Sequence, residues 1–141
     1  MQHSGDFMNS KLGSFLLITM SAMTLWAAQP EKVYFISPLD KATVTKTFKV
    51  KFAQQGLKVK PAGEDMKNKK SGHFHIIVDG SFIPEGTVVP ADDKHIHYGK
   101  AQMKTELTLA PGPHTLTLQF ADGAHISLGE KLSQTITINV R

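Results

Sequence analysis

The chain has 141 residues, a formal net charge of +4 at pH 7, seven histidines and no cysteine. A chain of this length forms about one domain, and its balance of apolar and charged residues is that of a globular protein. The lack of cysteine excludes a disulfide framework, a thiolate metal cluster and a cysteine nucleophile. The small, dispersed positive charge does not predict a nucleic-acid partner. The histidines are the unusual part of this composition.

Residues 1–28 have the layout of a secretory signal peptide rather than of a folded domain. Lys11 supplies a positive charge ahead of a mostly apolar stretch, residues 12–26, and two alanines follow it. The apolar stretch is shorter than the roughly 20 residues that span a bilayer. We therefore expect residues 29–141 to form one mature domain, periplasmic or secreted, with no membrane span after cleavage. An uncleaved membrane anchor is the alternative.

Taken in chain order, the mature region predicts short strands separated by turn residues. Apolar or alternating segments occupy residues 33–36, 43–52, 73–79, 82–83, 95–98, 102–109, 114–120 and 134–140. Alternation of apolar and polar residues is typical of a strand with one buried face. In the second segment Phe48, Val50 and Phe52 share one face, and only Lys46 breaks the apolar set. We predict an all-β fold, an immunoglobulin-like antiparallel β-sandwich of about seven strands.

Two of the predicted strands carry a His-X-His motif. Successive side chains of a strand point to opposite faces, so His73 and His75 share a face, and so do His95 and His97. The other face of both strands is apolar, which predicts the histidines on the outer wall of the sandwich. Two imidazoles at this spacing can converge on one metal ion, with metal–nitrogen bonds of about 2.0–2.1 Å. If the two strands are antiparallel neighbours, all four rings can meet at one patch.

Four imidazoles without a sulfur ligand suit Cu(II) first, and Zn(II) or Ni(II) next. His125 follows a turn, and we predict it as a fifth ligand that approaches from a loop. His114 shares a face with apolar residues, so we expect it to form hydrogen bonds at the edge of the core instead. Asp79, Asp92 and Asp93 are candidate acceptors for imidazole N–H groups. Ligation needs neutral imidazole, so metal affinity is expected to fall below about pH 6.5.

Five segments of the predicted mature chain extend the pattern beyond the His-X-His motifs. They are residues 33–38 (VYFISP), 72–79 (GHFHIIVD), 95–102 (HIHYGKAQ), 107–115 (LTLAPGPHT) and 124–126 (AHI). Together they resemble an exported bacterial family known as domain of unknown function number 4399. The resemblance implies a periplasmic, His-rich β domain and no established activity. Members of that family often have a further histidine where this chain has Phe74, but that position faces the core.

We expect the protein to bind a transition metal, preferably copper, for carriage, sequestration or delivery in the cell envelope. One alternative is a non-catalytic module with solvated histidines that binds another envelope protein, which fold alone does not exclude. The other is a metal-dependent enzyme like a cupin or a copper–zinc superoxide dismutase. The interval between Pro84 and His95 does not match a cupin motif, and the dismutase needs a disulfide. A role other than catalysis is therefore the main expectation.

Overall fold

In the computed structural model, which describes residues 29–141, two β-sheets face each other across an apolar core. The smaller sheet has the order β1-β3-β7 and consists of β1 (Lys32–Ser37), β3 (Thr47–Gln55) and β7 (Lys104–Thr108). The larger sheet contains β2 (Ala42–Val44), β4 (Lys58–Val59), β5 (Ser71–Val78), β6 (His95–Tyr98), β8 (Gly112–Ala121) and β9 (Ser133–Val140). Its order is β2-β9-β8-β5-β4, and β6 also pairs with β5. A short 3₁₀ helix, Glu130–Leu132, precedes β9.

The prediction of an all-β sandwich is confirmed, with nine strands among the described residues instead of about seven. The immunoglobulin-like connectivity stays a prediction. The signal peptide predicted for residues 1–28 lies outside the described residues. Between residues 29 and 141, no helix has the length and hydrophobicity needed to cross a membrane.

The core follows from the alternation in the sequence. The buried residues of β3 include Phe48, Val50 and Phe52, as that alternation predicts. The ring of Phe52 meets that of Phe74 in β5 at a centroid distance of 4.9 Å, and Phe74 meets Phe120 in β8 at 5.1 Å. Both contacts are edge-to-face, the arrangement that the aromatic quadrupole favours. The apolar face of β5 therefore lies against the smaller sheet, and its histidines point the other way.

One predicted strand, residues 43–52, is two strands in different sheets. β2 ends at Val44 and pairs in parallel with β9, whereas β3 begins at Thr47 in the smaller sheet. Exposed Lys46 lies between them, at the point where the alternation lacks an apolar residue. A lysine at a core-facing position is costly to bury. The chain crosses from one sheet to the other at this position.

The histidine face of β5 is covered, which corrects the prediction that it forms the outer wall. All eight residues of β5 are buried. The connection between β5 and β6 is fixed to this face, because the Ile83 N–H donates to Oε1 of Gln119 at 3.0 Å and the Thr117 hydroxyl donates to the Gly80 carbonyl at 2.7 Å. Gln119 and Thr117 lie on β8, the neighbour of β5. Segments with no apolar alternation of their own thus enclose the first His-X-His motif.

Candidate metal centre

Four imidazole rings meet on the covered face of β5, and they belong to His73, His75, His97 and His125. Five of their six centroid distances lie between 4.8 and 5.1 Å, and the sixth, between His75 and His125, is 6.0 Å. The Nε2 atoms of His73 and His75 are 3.1 Å apart, and so are those of His97 and His125. Two nitrogens bound to one metal at about 2.0–2.1 Å lie roughly 3 Å apart. Within each of these two pairs, the Nε2 atoms therefore have the spacing of two ligands on one ion.

Strand register brings three of these rings together. β5 and β6 are antiparallel, with His75 directly opposite His97. His73 is on the same face of β5, two residues from His75. One ring nitrogen from each of His73, His97 and His125 lies within 4.8 Å of the other two. The two strands are neighbours, and this is the condition under which the sequence predicted a common patch.

The fourth ring comes from the loop that follows β8. His125 has a φ of 63°, a left-handed conformation that is uncommon for a residue with a side chain. The buried Asp122 carboxylate holds this loop, since its Oδ1 atom accepts the N–H groups of Ala124 at 2.8 Å and Ile126 at 3.0 Å. The Val89 N–H also donates to the His125 carbonyl at 2.9 Å. These bonds direct the His125 ring toward β5.

His95 does not join the four rings. It pairs with Ile77, so it lies two residues further along β6 from His97, on the side away from His73. In an antiparallel pair with His75 opposite His97, the first histidines of the two motifs, His73 and His95, extend in opposite directions. His95 instead places its Nδ1 atom 2.7 Å from Oδ1 of Asp92. The structure thus gathers His73, His75, His97 and His125, with His125 in the place expected for His95.

His114 lies outside the cluster, at the edge of the core where it was expected. Its Nδ1 atom is 2.8 Å from Oδ2 of Asp79, and its Nε2 atom is 2.8 Å from the Ala110 carbonyl. Both partners accept, so the protonated ring donates to each. The hydrogen bond to Asp79 raises the pKa of His114. Both ring nitrogens are therefore engaged.

The cluster is buried at its base and accessible at its rim. His73 and His75 are 0% and 2% exposed, whereas His97 is exposed and His125 is partly buried. Burial, and after it the neighbouring imidazoles, lower the pKa of His73 to about 4 and that of His75 to about 3. Burial and the neighbouring His125 also lower the pKa of His97. His73 and His75 therefore stay neutral at pH 6.5, so proton competition at these two rings begins at a lower pH than the sequence alone indicates.

Two polar atoms in the cluster have no hydrogen-bond partner. They are the Nδ1 atoms of His73 and His75, both inaccessible to solvent, and no residue between 29 and 141 bonds them. An unpaired buried polar atom costs on the order of 1–3 kcal/mol. Native structures retain few such atoms, and each one calls for an explanation. A metal bound through the converging Nε2 atoms would leave both Nδ1 atoms unpaired, so their cost belongs to the burial of the two rings.

Gly99, which the sequence analysis did not single out, positions His97. A methyl group on its Cα would lie 2.2 Å from Cε1 and 2.5 Å from Nε2 of His97. The ring therefore lies over the glycine. The Gly99 carbonyl also accepts the Ala62 N–H at 2.9 Å, and Gly63 bonds Gly123 in the same way. Gly99 follows His97 by two residues, so strand alternation places both on the same side, and this spacing is the signal that could have indicated its role.

Replacing Gly99 with alanine is expected to weaken Cu(II) binding by about tenfold or more while the sandwich stays folded, because the added methyl displaces one ligand ring. Isothermal titration with Cu(II) and thermal unfolding measure the two effects. Gly63→Ala is the control, since its methyl meets nothing within 4 Å and its φ of 87° makes the variant strained. That control should lose stability and keep its copper affinity. Equal affinity in Gly99→Ala and the wild type would contradict the role of Gly99.

The rim of the cluster opens into a pocket of about 390 Å³. It is lined by His75, His95, His97, His125 and residues 89–93. Solvent and ions reach the rings through this opening.

Comparison with protein-family models shows which family the chain belongs to. The family model for a domain of unknown function (DUF4399) matches residues 50–141. The chain belongs to the DUF4399 family. The match confirms the resemblance seen in the sequence, and it includes every histidine of the cluster. The family description assigns no activity.

A solved structure shares the fold of this DUF4399 domain. It is the endo-beta-1,4-mannanase from Thermotoga petrophila, with a TM-score of 0.50 and 13% sequence identity. The similarity covers 84% of this chain and 21% of the mannanase chain, so the domain spans about a fifth of that protein. At this identity the similarity shows the fold alone. No curated protein matches the chain.

Proposed function

We propose that this DUF4399 domain binds a divalent transition metal ion, preferably Cu(II), through His73, His75, His97 and His125. The observation that carries the proposal is the convergence of ring nitrogens from three separate segments, with one nitrogen each from His73, His97 and His125 within 4.8 Å. His75 joins them through its 3.1 Å contact with His73. Imidazole ligands without sulfur favour Cu(II), with Zn(II) and Ni(II) next.

Burial supports a metal centre over a group of solvated histidines. His73 and His75 are 0% and 2% exposed, and burial holds them neutral. A neutral imidazole nitrogen has the lone pair that a metal needs. Their Nε2 atoms face each other at 3.1 Å, whereas the ring nitrogens of His114 bond the acceptors Asp79 and Ala110. The arrangement favours ligation over structural roles for these two rings.

The role we propose is carriage, sequestration or delivery of the ion in the cell envelope. A catalytic metal site keeps a coordination position open, whereas four protein ligands close a four-coordinate site. Four rings at ligand spacing therefore favour holding the ion over chemistry on a substrate. The enzyme and the metal-free interaction module stay as alternative predictions.

The test uses the chain purified without a polyhistidine tag. Elemental analysis and titration with Cu(II), Zn(II) and Ni(II) are expected to give one ion per chain, with Cu(II) bound most tightly. Electron paramagnetic resonance of the Cu(II) form should show hyperfine coupling to imidazole nitrogens. If none of the three ions binds stoichiometrically, the proposed function is excluded.

A further inference from the structure

His95 and Asp92 form a distinct pair in the lining of the pocket. The imidazole Nδ1 atom lies 2.7 Å from the Asp92 Oδ1 atom. The His95 side chain is 16% exposed and that of Asp92 is 54% exposed. His95 lines the same pocket as His75, His97 and His125. This histidine is therefore close to the cluster without being part of it.

The hydrogen bond to Asp92 prepares His95 as a ligand. In the neutral ring, the Nδ1–H donates to the carboxylate, so Nε2 has the free lone pair. A carboxylate on the second nitrogen is the partner that metal-binding histidines commonly have. Oδ1 of Asp92 also accepts the N–H groups of Lys94 at 2.9 Å and His95 at 3.1 Å. These bonds, with that of the His95 ring first, lower the pKa of Asp92 and keep it ionised.

The position of His95 suits a stepping point for an ion. His95 and His97 lie on the same face of β6, about 6.6 Å apart along the strand. Exposed Asp93 lies beside Asp92 on the pocket wall. The chain as a whole carries +4, which repels cations, so acidic groups at this opening are a local exception. Because Asp92 and Asp93 are exposed and His73 and His75 are buried, an ion drawn to these carboxylates meets His95 and the exposed His97 before the buried rings.

We propose that His95, held by Asp92, is a transfer ligand that binds a divalent transition metal transiently on its way into and out of the four-histidine cluster. This inference rests on the proposed function. During uptake, His95 Nε2 replaces water on the ion. The bond to His95 then breaks as bonds to the rim imidazoles of His97 and His125 form, and those to His73 and His75 follow. The oxidation state of the metal does not change, and release runs through the same steps in reverse.

The test separates exchange rates from affinity. Stopped-flow absorbance follows Cu(II) uptake, and excess EDTA drives its release, in the wild type and in His95→Gln. We expect the variant to exchange copper about tenfold more slowly in both directions, a change at the low end of what ligand-supporting groups contribute. Because uptake and release slow together, the equilibrium affinity should stay within about threefold of the wild type.

Copper exchange is also measured in two aspartate variants, one of which is the control for the other. Asp92→Asn keeps the Oδ1 acceptor for the turn and loses the charge that supports the imidazole, so its exchange should also slow. Asp93→Asn removes an equal charge that does not contact His95, and it should change the uptake rate less. If circular dichroism shows that His95→Gln is unfolded, the copper exchange rates of Asp92→Asn provide the test instead. Equal slowing in the two aspartate variants would assign the effect to charge and overturn the role of His95.

Three other results of these experiments would each overturn the inference. Wild-type exchange rates in His95→Gln would overturn the transfer ligand and leave the metal centre intact. A loss of affinity, with a change in the imidazole coupling of the Cu(II) spectrum, would make His95 a ligand of the resting centre and overturn the inference as well. A wild-type chain that binds no metal would overturn both this inference and the proposed function.

Discussion

Replacing both His97 and His125 with glutamine is expected to abolish tight Cu(II) binding and leave the sandwich folded. These two rings form the rim of the cluster, outside the apolar core. Groups that only support a metal ligand contribute about 10–100-fold to affinity. Loss of two ligands should therefore cost at least about a thousandfold. Competition titration against a chelator of known affinity measures the change, and circular dichroism checks the fold.

His114→Gln is the matched control for the rim variant. It also removes an imidazole, but one whose nitrogens are both occupied by Asp79 and Ala110. Its copper stoichiometry should equal that of the wild type. A double variant at His73 and His75 should lose stability as well as copper, since both rings are buried. Unchanged Cu(II) affinity in the rim variant would show that the ion binds elsewhere.

The metal-free protein is expected to lose stability as the pH falls from about 6.5 to 4. An unfolded histidine titrates near pH 6.5, whereas burial lowers the pKa of folded His73 to about 4 and that of His75 to about 3. In this window the unfolded state binds more protons, so acid favours it. The shift of His73 alone corresponds to about 3 kcal/mol at pH 4. Urea denaturation with a chelator present, at pH 7, 6, 5 and 4, measures the loss.

Two variants test the origin of this acid sensitivity. His73→Gln combined with His75→Gln should flatten the dependence on pH, because no buried imidazole remains to be protonated. His114 has the opposite sign, since the hydrogen bond to Asp79 raises its pKa. Its contribution is present at low pH and is lost as the pH rises through the folded pKa. A wild-type curve that is flat from pH 7 to pH 4 would contradict the neutral buried state of His73 and His75.

The sequence predicted the parts of the site that depend on local periodicity. Alternation in β5 placed His73 and His75 on one face and Phe74 on the other, and the structure has this arrangement. The sequence predicted both His95 and His125 as ligands, and which of them joins the cluster is not decided by local sequence. It depends on the register of β5 with β6 and on the loop held by Asp122, which pair residues far apart in sequence. Alternation does not contain that information.

The same distinction explains the fold. The pattern of Phe48, Val50 and Phe52 identified a strand and its buried face correctly. The sequence shows that Lys46 interrupts the apolar set, but it does not show whether the strand ends there. Whether the chain continues or changes sheet there depends on the pairing of β2 with β9, which lies at the other end of the sequence. For a similar reason, the sequence did not predict that the histidine face of β5 is buried. The segments that lie on it have no regular apolar pattern.

The full burial of β5 has a consequence for how the centre is assembled. Packing on both faces fixes two of the four rings when the chain folds, before any ion arrives. Zinc fingers, in contrast, gain their structure from the metal. A receptor that is preorganised in this way loses little conformational entropy on loading. If the proposed ion binds, we expect the metal-free and metal-bound forms to share one fold and the ion to exchange without unfolding of the domain.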